Sequence, residues 1–170
     1  MQHSLTLCRF NGGISVRVIS DAQRAFAFDV TFYLRHPQLV KVANQKPPVH
    51  FHPHQDEFVE VREGSLAIEL RGRERILTPK DGEFCLPRWA NHRLYPPPPA
   101  STDDRDGSSG SGVARFLLSA QDTPESFKLD LVFFQNWYAY QDEVVVHGKK
   151  LDLIKAMNVG THPFCTATIV

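Results

Sequence analysis

The residues best suited to chemistry lie between positions 50 and 92. His50 and His52 are two apart, so on an extended chain both imidazoles leave the same face. Glu57 follows five residues after His52, beyond a bend expected at Pro53, and His92 follows five residues after Pro87. Two neighbouring antiparallel strands would bring this last imidazole to the first three groups. Imidazole and carboxylate suit Fe(II), Mn(II), Ni(II), Co(II) or Zn(II), and the lack of a thiolate cluster argues against a structural zinc knuckle. Four protein ligands leave an octahedral metal two open positions, enough for dioxygen beside a substrate oxygen, or for a chelating substrate. Such a centre can act as a Lewis acid, an activator of water or a redox centre. His54 shares strand parity with the first two histidines, but Pro53 turns the chain between them. It is therefore read as solvent-facing or behind the ligands, and as the candidate catalytic group if a proton must move.

The flanking sequence supplies the elements that must hold these groups. Ile14, Val16 and Val18 alternate with Ser15, Arg17 and Ile19, and Phe26 to Tyr33 keeps Phe28, Val30 and Phe32 on one parity. Val59 and Val61 alternate with Glu60 and Arg62, and further short strands follow around Gly64, Gly72 and Gly82. Short alternating segments broken by Gly and Pro indicate an all-β sandwich or barrel. Residues 96–112 (PPPPASTDDRDGSSGSG) are low in complexity and are expected to form an exposed, flexible loop. From Thr123-Pro124-Glu125 the period changes to helical, with Phe127, Leu131, Phe134 and Tyr138 three or four apart and Trp137 beside them. A second, shorter helix is expected through Leu151, Ile154 and Met157, so the helical tail runs over about 123–160. Its aromatic face is expected to cover a sheet or to pair with a second subunit.

Composition narrows the class. The chain has 170 residues, 42% of them hydrophobic and 22% charged, a size and balance that suit one globular domain. Acidic and basic residues number 19 each, and no basic cluster marks a nucleic-acid surface. No apolar run approaches the roughly 20 residues that cross a bilayer. The N-terminus lacks a basic head followed by an apolar stretch, so no signal peptide is read there. Cys8, Cys85 and Cys165 are odd in number and far apart, which favours a reducing, cytoplasmic setting over a disulfide framework.

The stretch HFHPHQDEFVEVREG resembles the first motif of the cupin superfamily, and DGEFCLPRWANHRLYPP resembles its second. The resemblance implies a single β jelly roll over about 14–120 within one domain, with a divalent metal held by His50, His52, Glu57 and His92. Where the motifs carry glycine, this chain has Asn44 and Trp89; where the second ends in Asn, it has Pro96. The tail FFQNWYAYQDE is similar to that of small fungal cupin-type proteins, a group similar to tailoring proteins of natural-product pathways.

A barrel of this size holds one small ligand. The expected lining is apolar and aromatic, with Phe28, Phe32, Val59 and Phe84 from the strands and Trp89 and Tyr95 near His92. This favours a hydrophobic small-molecule substrate that offers an oxygen to the metal. Three readings stand: a metal-dependent oxygenase, a non-redox isomerase, cyclase or lyase with His54 moving the proton, and a non-catalytic binding cupin. The open His/carboxylate site leans toward oxidoreductase chemistry. A homodimer is the expected assembly, with no nucleic-acid or membrane partner.

Overall fold

The computed structural model describes residues 6–97, 112–125 and 128–150. Its strands are β1 (Thr6–Arg9), β2 (Ile14–Ile19), β3 (Arg24–Tyr33), β4 (Glu57–Glu63), β5 (Leu66–Leu70), β6 (Arg73–Leu77), β7 (Glu83–Leu86), β8 (His92–Tyr95) and β9 (Val113–Gln121). Two helices complete it, α1 (Pro37–Val42) and α2 (Leu131–Val145). The strands form a six-stranded sheet in the order β1-β2-β3-β9-β4-β7 and a three-stranded sheet in the order β6-β5-β8. All pairings are antiparallel. This is the all-β jelly roll with a C-terminal helix that the sequence indicates.

Alternation sets the interior. On β3, Phe26, Phe28, Val30 and Phe32 face the core, and on β9 so do Ala114, Phe116, Leu118 and Ala120. On β4 the buried parity is Glu57, Val59 and Val61. A carboxylate therefore begins a strand whose next two inward residues are valines, each contributing about 1.5–3 kcal/mol by burial. In the strand register Glu57 stands opposite Ala120 on one side and Leu86 on the other.

Two turns show why certain residues are required. Arg71 and Gly72, both at positive φ (51° and 76°), form the two-residue link between β5 and β6, the backbone geometry that hairpins with right-twisted strands favour. Gly64 has φ +70°, and a Cβ there would collide with the Val113 carbonyl oxygen.

The structure revises the tail. Helix α2 begins at Leu131, not at Thr123, because Asp130 caps it: its carboxylate accepts from the Phe133 N–H at 2.8 Å. Phe127, the expected second helix through Leu151 and most of the 96–112 loop lie outside the described residues. Two unanticipated contacts tie α2 and the segment leading into it to the barrel. The Asp142 carboxylate accepts from the Phe10 N–H at 2.7 Å. Gln55, only 1% exposed, donates to the Gln121 and Leu129 carbonyls and accepts from the Leu129 N–H.

Candidate metal centre

Backbone pairing aligns the two histidine segments. His50 and His92 exchange N–H···O bonds of 3.0 and 2.8 Å as an isolated antiparallel bridge. The Trp89 N–H donates to the His52 carbonyl at 2.9 Å. Trp89, which stands where the motif has glycine, takes the left-handed φ of 63° that a glycine would use, whereas Asn44 does not.

The side chains converge. Metal-ligating nitrogens of His50, His52 and His92 all lie within 4.8 Å of one another. Glu57 Oε2 is 3.0 Å from His92 Nε2 and 3.8 Å from His52 Nε2. Despite this proximity, His52 Nε2, His92 Nε2 and Glu57 Oε2 are buried with no hydrogen-bond partner. Buried polar atoms without partners are costly, so three of them aimed at one another need a common partner. A divalent cation fits that need.

The tautomers, and the charge states of His50 and His52, agree with the fit. His92 Nδ1 lies 2.8 Å from the Ala90 carbonyl and His50 Nδ1 lies 3.3 Å from that of Pro48. A carbonyl only accepts, so the proton sits on Nδ1 and the other nitrogen keeps its lone pair. Burial lowers the pKa of His52 to about 4 against the pull of Glu57, and lowers that of His50 as well. For His92 burial acts downward too, but the adjacent Glu57 carboxylate outweighs it and the pKa rises. Burial opposes the Glu57 carboxylate, and His92 with the other imidazoles more than offsets it, keeping the group ionised. Nitrogen lone pairs around one carboxylate are what a divalent ion binds.

Helix α2 closes one side of this cluster. Phe133 sits edge-on to His52 at 6.1 Å and Trp137 lies 5.7 Å from His50, ring centre to ring centre. On the adjoining face of the helix, Phe134 packs on Phe26 and Phe28, and Tyr138 is buried behind it. The sequence reading placed this aromatic face against a sheet or a second subunit; Phe134 does pack on β3, while Trp137 and the neighbouring Phe133 reach the imidazoles. Their spacing of four residues is the signal that marks them as one column.

The fold is that of a cupin. Of the residues expected to line the cupin pocket, Phe32 and Tyr95 line a cavity of about 530 Å³ that also touches Trp137. The other four lie elsewhere. Phe28 and Val59 are fully enclosed in the core, Phe84 packs at its edge beneath Arg75, and Trp89 is 66% exposed and stacked on Phe51. His54 is half-buried at the bend after His52 and outside the group of three imidazoles.

An oxidoreductase of Arthrobotrys oligospora, AOL_s00215g277, is 35% identical over 150 residues, covering 86% of this chain and 56% of the relative. The oxidoreductase macE of Penicillium terrestre is 34% identical over 160 residues, 90% of this chain and 58% of the relative. The epoxidase atD of Aspergillus terreus is 34% identical over 111 residues, 65% and 32% of the two chains. The chain thus spans a little over half the length of the first two relatives. Among solved structures, an RmlC-like cupin from Shewanella frigidimarina aligns with a TM-score of 0.45 at 17% identity, over 75% of this chain and 91% of the other. Hydroxypropylphosphonic acid epoxidase from S. wedmorenis aligns with a TM-score of 0.45 at 11% identity, over 71% and 56%. No protein-family model matches the chain. Among the described residues no helix is long and apolar enough to cross a membrane.

Proposed function

We propose that this cupin is the metal-binding part of an oxidoreductase that acts on an apolar or aromatic, oxygen-bearing small molecule. The observation that carries the reading is the set of buried, unpartnered donor atoms on His52, His92 and Glu57, joined by His50. The names of the fungal relatives support the reaction class. When bound, an iron or manganese ion would supply one-electron chemistry and Lewis acidity; the same donors also accept nickel, cobalt or zinc.

The chain's own residues define the rest. His50, His52 and His92 bind through neutral nitrogens, and Glu57 supplies the negative charge. Ala90 and Pro48, through their carbonyls, orient two of the rings. Phe133 and Trp137 exclude water from the helix side, which strengthens every electrostatic contact there. A role in natural-product tailoring and assembly as a homodimer belong to the same proposal.

The test is oxygen uptake by the iron-reconstituted protein with a panel of phenolic and enolic compounds. Uptake that depends on substrate and is abolished in His50→Ala supports the reading. Turnover by zinc-loaded protein without oxygen uptake would replace it with isomerisation, cyclisation or elimination, and His54 would then be the proton carrier to mutate. Binding of such compounds with no turnover under any metal would leave a ligand-binding cupin.

A further inference from the structure

The cavity of about 530 Å³ is a second feature beside the metal centre, and none of the three histidines lines it. It lies between the segment from Leu39 to Pro48, the end of β8 and the second half of α2. Its size falls within the roughly 300–1,000 Å³ typical of small-molecule sites. Phe10, Ile14, Phe32 and Leu39 make its inner wall apolar, and its rim carries Lys46, Glu74 and Tyr95.

The rim is charged but already balanced. Lys46 Nζ is 2.8 Å from Glu74 and 3.2 Å from Glu69, and the Tyr95 hydroxyl donates to Glu74. Lys46 is therefore not a free cation awaiting a phosphate or carboxylate. An occupant that matches this chamber is neutral, with an apolar body for the inner wall and one polar group for the rim.

Trp137 links the chamber to the chemistry. Its indole lines the cavity and stands 5.7 Å from the His50 ring, with Phe133 stacked beyond it (10° between planes, 6.4 Å between centroids). We propose that the chamber binds a neutral, mainly apolar molecule carrying one hydroxyl or carbonyl group, and that Trp137 is the partition between that molecule and the metal centre. The binding half stands on the chamber alone; the partition half rests on the metal-centre reading above. Trp137 thereby sets specificity, since the reach of the bound molecule past the indole decides which of its atoms approaches His50.

The experiment uses metal-stripped full chain carrying Trp89→Phe, so that Trp137 is the single tryptophan. The probes are 1-naphthol and its charged counterpart 1-naphthyl phosphate, followed by Trp137 emission and calorimetry. Saturable binding of 1-naphthol is expected, with the phosphate at least about tenfold weaker. Ala43→Phe, at an exposed position on the chamber wall, is expected to weaken 1-naphthol about tenfold by filling the space. Should that variant misfold by circular dichroism, Val144→Phe on the α2 wall replaces it. No saturable binding, equal binding of the phosphate, or indifference to both fillings would overturn the site. For the partition, Mn(II)-loaded protein is compared with its Trp137→Ala form. Faster relaxation of 1-naphthol ring protons in the variant supports the role, and equal relaxation removes it. Because the first arm needs neither metal nor turnover, its failure is separable from failure of the metal-centre reading.

Discussion

Asp29 on β3 and Glu57 on β4 are both buried carboxylates, at 6% and 2% exposure, and both strands flank β9. Asp29 is fully answered by protein. Arg115 binds it through two nitrogens at 2.8 and 2.7 Å and Arg17 adds a third contact, so these guanidiniums, Arg115 foremost, hold its pKa low despite burial. Among the described residues no guanidinium or ammonium pairs with Glu57; imidazoles surround it and Oε2 has no hydrogen bond. A buried acid closed by arginines is a structural ion cluster. A buried acid left open among histidines is a place for a cation.

The contrast yields predictions of decreasing size. Glu57→Gln is expected to weaken metal binding by about 100-fold or more while the metal-free protein loses only a small part of its stability, since imidazoles alone answer the buried charge. Metal titration and thermal melts of the stripped protein check both halves. A large drop in melting temperature would make Glu57 structural, like Asp29. Gln55→Ala is expected to cost about 2–3 kcal/mol, because it strands the buried Leu129 N–H and loosens the approach to α2. Urea unfolding measures it. Asp29→Asn is expected to cost about 1–2 kcal/mol with metal content unchanged. The figure is modest because Arg17 and Arg115 are 49% and 43% exposed and return to water.

The pH dependence separates the two sites. His52 titrates near 4 in the fold and near its ordinary 6.5 when unfolded, so the unfolded chain takes up the proton first. Its contribution to metal-free stability is complete above pH 6.5 and is lost as pH falls toward 4. Asp29, held low, contributes above its ordinary 3.8 and loses that contribution only below it. His92 is raised and acts oppositely, contributing below 6.5 and less as pH rises. Melts of the stripped protein from pH 7 to 3 are therefore expected to show a slope below 6.5, to which His50 also contributes, that His52→Gln reduces and Asp29→Asn leaves. A slope undiminished in His52→Gln would assign it to another group.

Much of the centre was legible because period-two alternation is local. His50 and His52 share parity, and Glu57 sits on the parity of Val59 and Val61, so an inward carboxylate follows from the pattern alone. The chain bends at Pro53, and His54 lies outside the group of three imidazoles. The rest depended on long-range docking. Four consecutive aromatic-rich turns do not say which column meets what; the Asp130 cap, the Asp142 contact and the packing of Phe134 on β3 fix α2 so that Phe133 and Trp137 reach the imidazoles. Trp89 was expected at the pocket because it precedes His92 by three residues. Its left-handed backbone turns the ring outward onto Phe51 instead. Phe28 and Val59 were placed by parity in the barrel interior, and there they are enclosed in the hydrophobic core.

The most direct test of the central claim is the metal content of the protein by elemental mass spectrometry, beside a His50→Ala/His92→Ala variant. The account predicts about one divalent ion per chain in the parent after anaerobic reconstitution with iron or manganese, and almost none in the variant. A parent that holds no metal after reconstitution, or a variant that holds as much as the parent, would contradict it.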